Sequence, residues 1–313
     1  MIAFSSRAGR WPLALTTAVV AALVAITASG DDPPVPAITA PGVPAVVAGD
    51  VITVSNTSGG TELGSLRWAL LHVTGQQLIR FDPSLAGATI TLDSTLNVTR
   101  YVTIEGPKGR GITLSGGGAR RVMYVAEGAH LKNLTITGGY DPVVGGGIFA
   151  YGPLRIENSV LHDNKAGNAG GIYGEGITLV NSTITENVAD ALASGISWDM
   201  DEGLTLINTT VARNGPAPGI RGHGNTSGTG PVHLENTIIA GNGTPVSNCW
   251  YPSESFVRVG VNVADDLTCG DASQMSIENP ALGAFGDRRG PSPTVASAPT
   301  TASRSRKVYL ARK

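Results

Sequence analysis

Short apolar runs recur through the middle of this chain with a fixed internal rhythm. Leu154-Arg155-Ile156-Glu157-Asn158, Ile177-Thr178-Leu179-Val180-Asn181, Leu204-Thr205-Leu206-Ile207-Asn208 and Val232-His233-Leu234-Glu235-Asn236 all run apolar at every second place and stop at an asparagine. Period-two alternation closed by a turn residue predicts a short strand with one face on a core. A second register agrees with the first: Ile148, Ile172, Ile196 and Ile220 each follow a glycine, and consecutive members stand 24 residues apart. Six residues beyond Asn158, Asn181, Asn208 and Asn236 come Asn164, Asn187, Asn214 and Asn242, and Ser159, Ser182, Thr209 or Thr237 follows the first asparagine each time. Leu78 to Phe81, Ile90 to Leu92, Val102 to Ile104, Ile112 to Leu114, Val122 to Val125 and Leu131 to Ile136 repeat the pattern more loosely.

A unit of this length is too short to bury its own apolar face, but it can form one coil of three short strands that buries that face against the next coil. The expected fold is therefore all-β, a right-handed parallel β-helix of about eight coils between Leu78 and Cys269. Stacked coils place positions one period apart directly above one another, about 4.8 Å apart. Ile148, Ile172, Ile196 and Ile220 then form an internal aliphatic column. Asn158, Asn181, Asn208 and Asn236 fall at bends, where their amides tie the turn and bond along the stack. From these isoleucines to Asn158, Asn181, Asn208 and Asn236 in turn the distance is 10, 9, 12 and then 16 residues, so insertions gather on one side of the later coils, where solenoids usually carry function. An open stack also needs a protected end. Ser65 as N-cap, with Leu66, Ala69 and Leu70 on one face, predicts a short amphipathic capping helix.

The ends of the chain differ from this body. Arg7 and Arg10 precede an uncharged apolar stretch from Trp11 to Ala28, and Ala28-Ser29-Gly30 supplies small residues for cleavage. Residues 1–30 read as an export signal; the same stretch is also long enough to remain as a membrane anchor. Residues 31–48 carry Pro33, Pro34, Pro36, Pro41 and Pro44 and read as an extended linker. The remaining divisions are an N-terminal cap at 49–77, the β-helix at 78–270, a closing segment at 271–294 and a basic, disordered tail at 295–313. Composition agrees with a coil-rich, aliphatic build: 42 glycines, 15% charged residues and only 5% aromatics. A formal charge of −2 lacks the basic balance of a nucleic-acid partner.

Val51-Ile52-Thr53-Val54, Gly64-Ser65-Leu66-Arg67 and the run from Phe81-Asp82-Pro83-Ser84-Leu85 to Thr89-Ile90-Thr91-Leu92 resemble the opening of bacterial surface proteins with parallel β-helix repeats. These belong to the pectate-lyase-like superfamily, which includes polymorphic outer-membrane protein repeats. Asn236-Thr237-Ile238-Ile239-Ala240-Gly241-Asn242 and Asn279-Pro280-Ala281-Leu282-Gly283 resemble the closing segment of its choice-of-anchor members. The resemblance covers roughly residues 51 to 294 and implies a secreted or cell-surface module, such as an outer-membrane adhesin. It does not imply an activity, because such scaffolds carry lyases, hydrolases and proteins without catalysis. After Thr294 the chain departs from that pattern.

Candidate chemistry is sparse. Cys249 and Cys269 are the only cysteines; in an exported protein a disulfide is the expected state, with a free pair as the alternative. Gly222-His223-Gly224, one coil after Asp199 and Asp201, resembles the acids and histidine of polygalacturonase-type glycosidases, where paired carboxylates act as general acid and base. The acids here are separated by Met200, and a histidine between glycines also reads as an exposed turn residue. A lyase would need clustered carboxylates for Ca²⁺ and a base for the proton α to a uronate carboxylate. Asp163, Glu186, Asp190 and Arg213 lie near repeated turns, but their sequence spacing does not stack evenly, and solvated turn charges account for them. The expected protein is a monomeric, non-enzymatic adhesion, binding or structural module without cofactor. It would present a β face to a surface glycan or protein, with a carbohydrate-active lyase or glycosidase as the alternative.

Overall fold

The computed structural model describes residues 51–199, 202–223, 230–243, 247–250, 256–269, 276–277, 280, 282–286 and 294–297. The expected signal, linker and last tail residues lie outside these, as does Asp201. The chain winds as a parallel β-solenoid whose coils each contribute a strand to three sheets. In one coil, Leu154–Glu157 belongs to the first sheet, Val160–His162 to the second and Ile172–Gly174 to the third, and the chain then re-enters the first sheet at Ile177–Val180. Nine parallel strands, from Val51–Val54 to Phe256–Val259, make the first sheet, and seven, from Leu96–Val98 to Cys249–Trp250, make the third. This is the all-β parallel β-helix expected from the repeat. Strand Val51–Val54 pairs with Gln77–Phe81 and adds a rung before the first full coil.

The core is the predicted aliphatic stack. Ile148, Ile172, Ile196 and Ile220 pair in register along the third sheet, and all are 0% exposed. The glycine before each isoleucine has a steric cause. A Cβ on Gly171 would stand 2.4 Å from the Gly195 carbonyl oxygen and 3.3 Å from the Asn187 side chain, so the chain passes too close to its own next coil for any side chain.

Two asparagine ladders separate into different kinds. Asn133, Asn158, Asn181, Asn208 and Asn236 lie at the bend between first and second sheets with φ from 48° to 54°. Asparagine suits this left-handed conformation. Its amide bonds along the stack are on the surface, Asn181 Nδ2 to Asn158 Oδ1 at 3.3 Å and Asn208 Nδ2 to Asn181 Oδ1 at 3.2 Å. Asn164, Asn187, Asn214, Asn242 and Asn248 instead sit inside. Each of the first four donates Nδ2–H to the next member's Oδ1 at 2.9 Å, and the same oxygen also accepts the donor residue's own backbone N–H.

One expectation is corrected. Asp163, Glu186 and Arg213 do stack: each immediately precedes a buried asparagine and adopts φ of 52°, 56° and 57° at the bend after the second sheet. Unequal loop lengths hide that register in the sequence. Asp190 stands apart, within Val188–Ala191.

The ends are closed by different devices. Helix Leu66–His72 starts at Ser65, whose hydroxyl accepts the Trp68 N–H, and it buries Leu66, Ala69 and Leu70 as its pattern predicts. Arg67 ties the helix to the first coil through the carbonyls of Gly59, Ser94 and Thr95. At the other end Cys249 and Cys269 are joined, their Cα atoms 5.0 Å apart and 20 residues apart in sequence. Closing such a loop stabilises by about 3 kcal/mol in the chain-entropy model. The double variant Cys249→Ser, Cys269→Ser is therefore expected to lose hydrogen-exchange protection in the last coil while the central coils keep theirs. Unchanged protection at Ile220–His223 and Cys249–Trp250 would show that the bridge contributes nothing there.

Beyond the last coils an antiparallel pair, Leu282–Gly286 with Thr294–Ser297, returns to the second sheet, and Arg213 donates to the Leu282 carbonyl at 2.6 Å. That pairing carries strand three residues into the stretch expected to be tail.

Candidate functional site

Strand alternation sends every second side chain of the third sheet outward. On the outer face, Tyr124, Phe149, Tyr173, Ser197, Arg221 and Trp250 occupy one register position in six successive coils. Their rings pack edge to face, Tyr124 to Phe149 at 5.7 Å and Phe149 to Tyr173 at 5.3 Å between centroids. Tyr151, 53% exposed, leans on Phe149 at 4.7 Å. Guanidinium groups cover two of the rings, Arg121 over Phe149 at 5.1 Å and Arg221 over Trp250 at 3.9 Å. The result is an aromatic row that runs along the solenoid axis on a rigid sheet.

Sequence reasoning missed this row. The signal was present, because Phe149 and Tyr173 each follow a column isoleucine and so must face the opposite way. Low overall aromatic content concealed it, since Tyr124, Phe149, Tyr173 and Trp250 are scattered in sequence and share a face only once the coils stack.

Of the three candidates Asp199, Asp201 and His223, the described residues Asp199 and His223 stand one directly above the other in adjacent coils. His223 fills the gap that the small Ser197 leaves in the row. Its Nδ1 lies 2.9 Å from Ser197 Oγ, and its ring stacks on Tyr173, two coils away, at 4.2 Å. Burial lowers the His223 pKa, the Asp199 carboxylate works against that, and Arg221 adds to it. Gly222, which made this segment look like a catalytic motif, faces inward. It and Gly174 flank Trp198 in register, leaving room for an indole that is 1% exposed.

Acids line the corner where the third sheet turns into the first. Glu175 follows strand Ile172–Gly174 as Asp199 ends strand Ile196–Asp199, and Glu202 lies on the turn beyond. Burial, then Asp199 and Glu202, push the Glu175 carboxyl up. The Tyr173 hydroxyl is raised by burial, then by Asp199, Tyr151 and Glu175. These side chains share one electrostatic environment beside the row. The longer late insertions fall at this same corner, as Asp199 to Leu204 and His223 to Val232.

Charges on the first sheet have a structural role. Arg80, Glu105, Lys132 and Glu157 stack in register with alternating sign, which avoids the like-charge contacts that parallel stacking would otherwise impose. His130 at 3.3 Å and then Arg155 hold the Glu157 carboxyl down to about 2, against the opposing effect of burial. Among the described residues, no three or more His, Cys, Asp or Glu side chains converge as a metal site, and no helix is long and apolar enough to cross a membrane.

No family model matches the chain, and no curated protein does. Among solved structures, the chain is similar to pectate lyase Pel9A at 16% identity with a TM-score of 0.43, over 70% of this chain and 62% of that one. It thus spans less than two thirds of the length of that lyase.

Proposed function

We propose that this protein is a secreted or surface-exposed, non-enzymatic β-helix module that binds a glycan chain along the aromatic row of its third sheet. The observation that carries this reading is the row itself: Tyr124, Phe149 and Tyr173 in successive coils, extended by Tyr151 and Trp250, both about half exposed. Tyr and Trp offer large apolar area with a polar handle, suited to the C–H faces and hydroxyls of sugar rings. The platform is also preorganised, because rings held by the sheet lose little freedom on binding. A linear glycan and a stack of coils are both one-dimensional repeats, so successive sugars would meet successive coils.

Titration calorimetry against soluble polysaccharides tests the reading. Tyr151→Ala and Trp250→Ala are each expected to weaken binding by roughly tenfold, about 1.4 kcal/mol, without changing the melting transition. Affinity equal to wild type in both variants would remove the row from the site.

A carbohydrate-active enzyme on the same scaffold is the second reading, favoured by one observation: the raised carboxyl of Glu175 beside Asp199, with His223 in register. A carboxyl raised by burial and by a neighbouring acid is the kind of group that general acid catalysis uses. Incubation with pectin, polygalacturonate and alginate, with and without Ca²⁺, separates the readings. Turnover that disappears in Asp199→Asn or His223→Ala would promote the glycosidase, and turnover abolished only by chelation would promote a lyase. A Ca²⁺ cofactor belongs to that last case alone.

A further inference from the structure

We infer that the glycan taken by this face is a cationic amino-sugar polymer rather than a polyuronate. This rests on the reading of the aromatic row as a glycan site and adds its charge selectivity. The row makes the surface, and the groups around it set the sign. Tyr151, Glu175 and Asp199 each directly follow one of the in-register residues Ala150, Gly174 and Trp198, so the two acids continue the place of Tyr151 beside the middle of the row, and Glu202 lies on the turn beyond. The cations nearby are placed otherwise. Arg121 is paired with Asp141 at 2.8 Å, and Arg221 is stacked over the Trp250 ring at the far end of the row. His223 is held toward its neutral form by burial.

The consequence is electrostatic. A polyuronate would bring one carboxylate per sugar against these three, in a surface that already holds Glu175 in partial repulsion from its neighbours. A polyglucosamine brings one ammonium per sugar to the same places and relieves that repulsion, while its ring faces lie on Tyr151 and Tyr173. Ammonium groups also favour aromatic faces. Complementarity of this kind selects among partners more than it adds raw affinity.

The experiment measures binding of the full-length protein to chitosan oligosaccharides, their fully N-acetylated counterparts, polygalacturonate oligosaccharides, a neutral xylan and polylysine of matched charge. Chitosan oligosaccharides are expected to bind at least tenfold more tightly than the N-acetylated ones, with polygalacturonate weakest. Glu175→Gln and Glu202→Gln should each narrow the preference by threefold or more, and Tyr151→Ala should weaken all sugar binding. Glu202 is exposed and Glu175 half-buried, and a melting curve like that of wild type confirms that each variant is folded. Equal or tighter binding of polygalacturonate or of the N-acetylated chain would overturn the amino-sugar assignment and leave the glycan site standing. Polylysine binding as tightly as chitosan, untouched by Tyr151→Ala, would reduce the effect to bulk charge and overturn it too. Binding to no sugar at all would sink the glycan reading itself.

Discussion

Ile172→Asp is expected to destroy the cooperative unfolding of the solenoid. Ile172 is 0% exposed and stacked in register between Ile148 and Ile196, in an aliphatic column that offers a carboxylate no side-chain donor. Leaving a polar group in such a place without a partner costs several kcal/mol, more if it stays ionised, and the lost aliphatic packing adds about 2 to 4 kcal/mol. Coils contact mainly their neighbours, so damage in a central coil also weakens the coupling between the two sides of the stack. In urea, the variant should show either no native baseline or two separated transitions where wild type shows one. Ile172→Val, which keeps shape and loses a methylene, should cost only about 1 kcal/mol and keep the single transition. An Ile172→Asp variant that melts like wild type would place this column outside the core.

Replacing Asn187 should rank next, and the comparison with Asn181 gives it a sharp form. Asn187 Oδ1 accepts both the backbone N–H and the side-chain amide of Asn164, while its own amide donates to the Leu161 and Thr185 carbonyls and to Asn214 Oδ1. Removing it leaves several buried groups unpaired, each worth about 1 to 3 kcal/mol, in a chain of bonds that strengthen one another. Asn187→Ala and Asn187→Gly should therefore both lose about 3 kcal/mol or more. At Asn181 the physics is backbone conformation: its φ is 49° and its amide bond lies at the surface. Asn181→Gly should be close to neutral, while Asn181→Ala should cost about 1 to 2 kcal/mol for a left-handed alanine. Chemical denaturation of the four variants decides the matter. Parallel losses at the two positions would mean that both ladders act through the same interaction.

The inside of this protein was legible before its structure because a parallel solenoid translates sequence period into spatial register. A 24-residue step between glycine-linked isoleucines becomes a vertical column only if coils stack strand on strand, so Ile148 to Ile220 announced both the fold and its core. Ser65 with its apolar face announced the capping helix for a similarly local reason. Spacing failed wherever loops differ in length. Asp163, Glu186 and Arg213 share one bend that their separations conceal, and the single letter Asn stood for two unrelated demands, one of conformation and one of buried hydrogen bonding. The candidate site was legible only in fragments: Asp199 and His223 could be placed one coil apart, but Gly222 owed its identity to Trp198 rather than to chemistry. Tertiary structure alone brought Tyr151, Tyr173, Glu175 and Asp199 to one surface and let His223 reach across Ser197 to stack two coils away. Outward side chains meet neighbours chosen by the stacking of several coils and the shape of their corners, and neither is written in the residues of any single coil.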